Sequence, residues 1–246
     1  MSNARIHPKL WIKASALAVA LLLAALAIGP RPAVADDTQD ARQLVEKARL
    51  TFESFTQDPY LGENLQGLVN KAKAVLIYPQ VLRAAFIVGV SGGSGVLLAR
   101  DPTSGSWFGP AFYTIGEASF GPQAGADASE VVLVALTERG VSALLTTSAK
   151  LGANASVALG PVGAGLSGAT ANISADIVSY SRNKGLYAGV SVEGAIVATR
   201  GSLNTAYYGA EVTPTDILIK HTVTNQEAAG LIAEVAKVTG GSVATR

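Results

Sequence analysis

Short apolar runs separated by glycine fill the middle of this 246-residue chain, and they set the strongest limit on its fold. Runs of four to seven residues that end at glycine are typical of strands, because helices in globular proteins need longer periodic segments. Gly-Pro pairs at 109–110, 121–122 and 160–161 predict turns, since proline cannot donate to a strand ladder. The predicted strands are 75–78, 85–90, 95–100, 111–115, 130–136, 155–159, 186–192 and 195–199.

Both ends of the chain show helical periodicity. Residues 40–55 place apolar side chains three and four positions apart on one face and mostly charged side chains on the other. Further helices are predicted at 61–74, 138–150 and 226–238, the last with Ala229, Ile232, Ala233 and Ala236 turned inward. The pattern predicts a single α+β domain over residues 36–246. Its core is a glycine-rich, mainly antiparallel sheet or barrel-like structure with the N-terminal and C-terminal helices packed on it.

The first 35 residues are typical of a cleaved signal peptide. A basic segment with Arg5, Lys9 and Lys13 precedes the uncharged run 14–28, and residues 33–35 (Ala-Val-Ala) have the small-x-small pattern of a cleavage site. A helix over that run would reach about 22 Å, short of the roughly 30 Å hydrocarbon core. A retained membrane anchor is the alternative. We expect an exported protein that starts at Asp36 and works in the periplasm or outside the cell.

Removal of this leader makes the protein acidic. Four of the 19 basic residues and no acidic residue lie in it, which leaves a net charge of −3. Nucleic-acid binding is not expected, because it depends on neutralising phosphates with a basic surface. The chain has no cysteine, so neither disulfides nor a lipid-modified cysteine contributes to its stability or anchoring.

Motifs that could indicate an enzyme are weak. Residues 89–93 fit G-x-S-x-G, which would make Ser91 a nucleophile with His221 as base and Asp176 or Asp216 as acid. The repeated βαβ units of such hydrolases are missing from the pattern. Residues 163–168 fit G-x-G-x-x-G but lack a following helix. No spacing resembles a zinc or EF-hand site, although a calcium site built from separate loops stays open. We expect no catalysis and no cofactor.

Several longer segments resemble the SYLF-domain family of lipid-binding domains, which is related to yeast actin-binding proteins. The similar segments occur in the family's order and cover roughly residues 40–220. Phe108 departs from the pattern, which has serine there. The segments are 82–86, 95–100, Trp107 with 110–112, 121–125, 160–163, 180–194 and 207–209.

The resemblance implies affinity for lipid head groups. Eukaryotic relatives bind phosphoinositides through an amphipathic N-terminal helix, and some bind or bundle actin. An exported bacterial member would not meet actin, and its expected partner is an anionic phospholipid surface, with phosphatidylglycerol and cardiolipin as the local candidates. The corresponding helix here is 40–55.

Two sets of residues are candidates for this binding. In the helix, Phe52 and Phe55 would enter the membrane interface while Arg42, Lys47 and Arg49 meet phosphates. The alternative is that the apolar face of this helix packs on the protein's own sheet. A second candidate pair, Arg182 and Lys184, lies in the glycine-rich segment 180–194, where both could equally be exposed turn charges.

An outer-membrane β-barrel is the remaining alternative, suggested by low charge and many short strands. Residues 131–136 are apolar on both faces, whereas positions that face a barrel lumen should be polar. We therefore favour the lipid-binding domain.

Overall fold

The computed structural model describes residues 34–85, 88–120, 125–160, 174–183 and 192–240. The chain divides into two compact units, Met1–Asp36 and Asp37–Arg246, and the packing described below is that of the second unit. The predicted leader, except for its last two residues, lies outside the described residues, so its cleavage stays a prediction.

The described residues form six α-helices, each too short or too polar to cross a membrane. The Thr137 side chain caps the third helix by accepting from the Gly140 N–H, and a capping box between Thr213 and Asp216 begins the fifth. The helices are α1 (Val34–Thr56), α2 (Gly62–Val69), α3 (Glu138–Leu145), α4 (Gly201–Tyr208), α5 (Pro214–Leu218) and α6 (Ala229–Val238), the last preceded by the 3₁₀ turn Gln226–Ala228.

Eight strands form one curled, half-barrel sheet, which confirms the predicted α+β class. The sheet order is β5-β8-β3-β2-β1-β4-β7-β6, and every pairing is antiparallel except that of β6 with β7. The first four strands are much longer than the apolar runs predicted. The strands are β1 (Ala74–Ala85), β2 (Val88–Arg100), β3 (Trp107–Phe120), β4 (Gly125–Ala135), β5 (Ser148–Lys150), β6 (Val157–Leu159), β7 (Ile177–Asn183) and β8 (Ile196–Thr199).

Helices cover both faces of this sheet. On one face, here called the helical face, α1, α2, α4 and α6 pack on residues such as Val75 and Ile77 of β1. On the opposite face, α3 and α5 pack on the alternating residues Leu76 and Tyr78. Because both faces are buried, residues 131–135 can be apolar without alternation, and all five are at most 1% exposed.

A β-bulge in β1 shapes one border of a cleft. Tyr78 pairs with Val131 of β4 and the next pair joins Val81 to Ser129, so Pro79 and Gln80 stand opposite a single residue. Bulges bend a strand, and they tolerate proline because the extra residue is unpaired. The bend turns Pro79 and Gln80 toward the N-terminal half of α1, where both border a cleft.

Two local predictions need correction. Gly109-Pro110 is not a turn: it lies within β3 as a cis peptide, beside a register shift in the pairing with β2. Of the four α6 residues predicted to face inward, Ala236 is buried and Ile232 packs partly buried against the core, but Ala229 is exposed, and the buried face also includes Leu231 and Val235.

Candidate functional site

A cleft of about 260 Å³ lies between α1 and the bulged part of the sheet. One wall is the N-terminal half of α1, the floor is the bulge of β1 with the neighbouring segment of β2, and the far wall is the start of α4. We call it the cationic cleft because Lys47 and Arg200 both line it. It is bordered by Asp40, Gln43, Leu44, Lys47, Pro79, Gln80, Leu82, Gly92, Gly93, Ser94, Arg200 and Leu203.

Main-chain and side-chain contacts hold Arg200 at the edge of the cleft. Its backbone N–H donates to the Phe112 carbonyl oxygen (2.8 Å), and its guanidinium Nη1 donates to Ser94 Oγ (2.7 Å). Ser94 belongs to the floor of the cleft, so this bond points the guanidinium across it. The side chain is therefore positioned before any ligand arrives.

Lys47 and Arg200 are the uncompensated cations of this site. Among the described residues neither forms an ion pair, although the exposed Asp40 carboxylate lines the same cleft. A lysine ammonium and an arginine guanidinium together present several N–H donors and no acceptor. This donor set suits an anionic oxygen ligand such as a phosphate or carboxylate.

The other two predicted helix cations, Arg42 and Arg49, form ion pairs with carboxylates of the protein. Arg49 donates to Glu46 (2.7 Å) and to Glu53 (3.1 Å), and the hydrogen bond from Arg49 lowers the pKa of Glu46. Arg42 pairs with Glu227 (3.0 Å), which precedes α6. Of the three helix cations predicted to meet phosphates, Lys47 alone is without an ion-pair partner among the described residues.

The expectation that Phe52 and Phe55 enter a membrane needs correction. Both rings are 0% exposed and belong to the core on the helical face of the sheet. The alternative packing of this helix on the protein's own sheet is what the structure has. The physical reason is that both arrangements require the same apolar stripe, and the sheet lies against it. Any apolar contact with lipid must therefore come from another surface.

Arg182 is also placed differently from the prediction. It lies in β7, is only 15% exposed, and donates to Glu130 Oε2 through Nε (3.0 Å) and Nη2 (2.5 Å). Its guanidinium also contacts the buried Asp58 carboxylate (3.6 Å) and stacks over the Phe55 ring (4.7 Å to the centroid). These contacts join α1 and the turn after it to the sheet. Lys184 lies outside the described residues.

The hydrolase arrangement is not present. Ser91 lies in the regular ladder of β2, opposite Arg83 and Glu117, and not at a strand-to-helix turn. His221 stacks on Phe108 with ring centroids 3.5 Å apart. Phe108 and Glu117 are nine residues apart on β3, or about 30 Å of strand. The base therefore lies far from the proposed nucleophile. It is held by stacking on Phe108, the departure from the family pattern, and by a contact of its Nε2 with the Leu218 carbonyl oxygen (3.0 Å).

The two acids considered for a triad have structural partners. Asp176 accepts from the Thr137 hydroxyl (2.6 Å) and from the hydroxyl (2.8 Å) and backbone N–H (2.9 Å) of Ser156, and these bonds, the first above all, lower its pKa. Asp216 accepts from Lys220 (2.8 Å) and takes part in the capping box of α5. Within the described ranges, no group of three or more His, Cys, Asp and Glu residues could hold a metal ion.

The model of one protein family, described as "Ysc84: Las17-binding protein actin regulator", matches residues 116–238, half of the chain. The chain belongs to this family. The Ysc84 match confirms the resemblance to SYLF domains seen in the sequence.

Three eukaryotic relatives of this chain carry YSC84 in their names. SH3 domain-containing YSC84-like protein 1 of Homo sapiens is 35% identical over 157 residues, which are 63% of this chain and 45% of the relative. The same protein of Xenopus laevis is 35% identical over 146 residues, 58% of this chain and 43% of the relative. Protein YSC84 of Saccharomyces cerevisiae is 35% identical over 156 residues, 61% of this chain and 33% of the relative. The chain thus spans less than half of the length of these relatives.

The sequence named Lys47 as a candidate residue but gave no reason to name Arg200, which lines the same cleft. Arg200 stands between a short strand and a glycine-led helix, where a single arginine carries no local signal. It reaches the same cleft as Lys47 because β8 pairs with β3 and β3 with β2, a juxtaposition that only the strand order provides.

Proposed function

We propose that this protein is an exported, non-catalytic domain that binds anionic phospholipid head groups at a membrane surface, with Lys47 and Arg200 as the head-group contacts. The supporting observation is that these two cations, which lack carboxylate partners among the described residues, line one open cleft. A phosphodiester oxygen can accept from both, whereas a neutral head group gains nothing from their charge.

The charges of the cleft set the expected strength of this contact. A cation near an anionic surface contributes about 1 kcal/mol, decaying over a Debye length of about 8 Å at physiological salt. Lys47 and Arg200 would therefore supply about 2 kcal/mol, which is roughly thirtyfold in affinity. Asp40 subtracts from this, and the net charge of −3 expected for the protein without its leader gives no long-range attraction. Binding then depends on local contact and falls with salt.

The lipid and the compartment follow from the leader. Export would place the domain next to phosphatidylglycerol and cardiolipin, and these are the proposed ligands. The family description names Las17 and actin, but the predicted leader would export this chain and so separate it from actin, and no actin partner is proposed. The separation of Ser91 from His221 supports a binding role and not hydrolysis.

Vesicle co-sedimentation with the protein lacking residues 1–35 tests the proposal. We expect binding to phosphatidylglycerol vesicles at low salt, weak binding to phosphatidylcholine vesicles, and a loss of about ten- to thirtyfold in the double variant Lys47→Gln, Arg200→Gln. The matched control is Lys71→Gln, Arg139→Gln, which removes one lysine and one arginine, both exposed and outside the cleft.

A third variant distinguishes the contribution of the cleft to binding from that of the other cations of α1. Arg42→Gln, Arg49→Gln removes the two ion-paired cations of the helix and should weaken binding less than the cleft variant. If both double variants lose the same amount of binding, the head group contacts the cations of α1 in general and not the cleft in particular. Wild-type protein that ignores anionic vesicles at low salt would contradict the proposed function.

A further inference from the structure

Beyond the bulge, the strands β1 to β4 continue past the end of the helical cover. Two rows of paired residues on the helical face show this. The row nearer the helices runs across five strands: Ala128, Leu82, Gly92, Gly116 and Ile196. The next row runs across four strands: Ala126, Ala84, Val90 and Ala118. We call these nine residues the apolar strand face.

This face is uncharged while the reverse side of the same strands is charged. None of the nine side chains carries a polar atom. On the reverse side, the row between them consists of Asp127, Arg83, Ser91 and Glu117. The alternation that makes one side polar and the other apolar is typical of a half-buried sheet, whose apolar side is covered.

The apolar strand face is exposed. Leu82 is 56%, Val90 57% and Ile196 51% exposed, whereas Ile77, on the same side of β1 before the bulge, is fully buried. Its glycines are not required by close packing, since a Cβ at Gly92 or Gly116 would meet no atom nearer than 3.7 Å. Large exposed apolar surfaces mark contacts with a membrane or a partner.

Cations border this surface. The cationic cleft shares Leu82 and Gly92 with it, which places Lys47 and Arg200 at its edge. At the β5 end of the first row, the exposed Lys150 pairs with Ile196. An apolar surface edged by cations matches the interface of an anionic bilayer, where phosphates lie above the acyl chains.

We propose that the apolar strand face is the surface that enters the membrane interface, with Leu82, Val90 and Ile196 among the acyl chains and Lys47, Arg200 and Lys150 at the level of the phosphates. This rests on the proposed function and supplies the apolar contact that the buried α1 does not. A second copy of the chain fits less well, because a two-fold contact would bring the same cation-edged surface against itself.

A tryptophan reporter tests insertion directly. Without the leader, the natural background is Trp107, which is 1% exposed. In Val90→Trp, phosphatidylglycerol vesicles should shift the emission to the blue, and brominated acyl chains should quench it. Leu159→Trp is the matched control, because Leu159 is 54% exposed on β6 at the far edge of the sheet. Its emission should not change.

A neutral double variant measures the contribution to binding. Leu82→Ser, Val90→Ser should weaken binding to phosphatidylglycerol vesicles at least tenfold without changing the charge, and what remains should be lost in high salt. The control Leu159→Ser, Ile219→Ser changes two other exposed apolar residues and should bind as the wild type does. Sedimentation equilibrium of each protein records its oligomeric state.

The outcomes separate this inference from the proposed function. Wild-type protein that binds no anionic vesicle contradicts the proposed function. Wild-type binding with an unshifted Val90→Trp spectrum and an unaffected Leu82→Ser, Val90→Ser variant overturns the membrane-facing role and leaves head-group binding standing. A wild-type dimer that becomes monomeric in this variant, with vesicle binding unchanged, would show that the face is an interface between copies.

Discussion

Replacing Arg182 with glutamine removes the side chain that joins α1 to the sheet. The guanidinium donates twice to Glu130, donates to Ser54 Oγ (2.9 Å), lies 3.6 Å from the Asp58 carboxylate and stacks on Phe55. A glutamine side chain is shorter, carries no charge and cannot donate to Glu130 Oε2 from two nitrogens, as the guanidinium does. The carboxylates would then face each other without the cation that separates them.

The magnitude follows from burial. Removing one partner of a buried ion pair costs about 3–5 kcal/mol, because the other charge is left uncompensated. The Asp58 side chain is 5% exposed but that of Glu130 is 33% exposed, and water can reach the latter, so we expect about 3 kcal/mol. For a domain of this size, 1 kcal/mol corresponds to about 2–4 °C, which predicts a fall in Tm of roughly 6–12 °C.

Thermal unfolding followed by circular dichroism measures this change. Arg49→Gln is the control, since Arg49 also contacts two carboxylates but is 28% exposed, against 15% for Arg182, and an ion pair that water reaches contributes about 1 kcal/mol or less. Arg182→Lys, which keeps the charge without the planar fork, should fall between the two. If Arg182→Gln melts like Arg49→Gln and loses vesicle binding, Arg182 is a head-group contact and the structural reasoning is wrong.

Three further predictions concern single sites. Gly95→Ala should lower stability by about 1–3 kcal/mol, because a Cβ there would lie 2.5 Å from the Tyr78 ring, whereas Gly67→Ala, in open space on α2, should leave stability equal or higher in the same urea titration. The lowered pKa of Asp176 means that its carboxylate stabilises the fold above the unfolded pKa near 4 and ceases to do so as pH falls through the folded value. The fall in denaturation midpoint between pH 6 and pH 3 should therefore be smaller in Asp176→Asn, and an unchanged pH dependence would contradict the assignment. Purified protein and Ser91→Ala should be equally inactive on generic esters, and activity lost with Ser91 would restore the hydrolase interpretation.

Local patterns predicted four of the six described helices, because the evidence for a helix is contained in one segment, but they gave no sign of α4 or α5. The predicted helices 61–74 and 138–150 also end earlier, at Val69 and Leu145, and Ser148–Lys150 is a strand. The burial of Ala41, Val45 and Ala48 in α1 is as expected from the spacing of apolar residues. The pattern showed that one face of α1 is apolar but not what covers that face, because packing on a sheet and insertion into a membrane require the same apolar stripe. The assignment of Phe52 and Phe55 to lipid was wrong for this reason.

Strands were predicted less well where buried positions are polar. Strand β7 was not predicted, because Ser179 and Ser181 make its sequence similar to a turn. In the structure both serines are buried, on the face opposite Val178 and Tyr180. The length of β1 to β4 was missed because small and polar residues interrupt their apolar runs. The small residues contribute to the apolar strand face, and the polar residues form the charged row on the reverse side of the same strands.

Adjacent residues of β1 provide a final prediction about that face. Val81 points to the reverse side of the sheet, is 8% exposed, and belongs to the core, whereas Leu82 is 56% exposed. Val81→Ala should cost about 2 kcal/mol, because two methyl groups are lost and a cavity remains, and should lower Tm by about 4–8 °C. Leu82→Ser should change stability by less than about 0.5 kcal/mol, as exposed substitutions usually do.

The two variants therefore distinguish a residue that stabilises the sheet from a residue that contacts the membrane. Packing on the reverse side holds the extended strands in place, so the exposed side can stay apolar without contributing to stability. We therefore expect Val81→Ala to lower Tm and to leave vesicle binding of the folded protein intact. Leu82→Ser should leave Tm unchanged and weaken vesicle binding. Equal melting of the two variants below the wild type would show that Leu82 is packed in solution, and the apolar strand face would then be part of the core and not a surface for lipid.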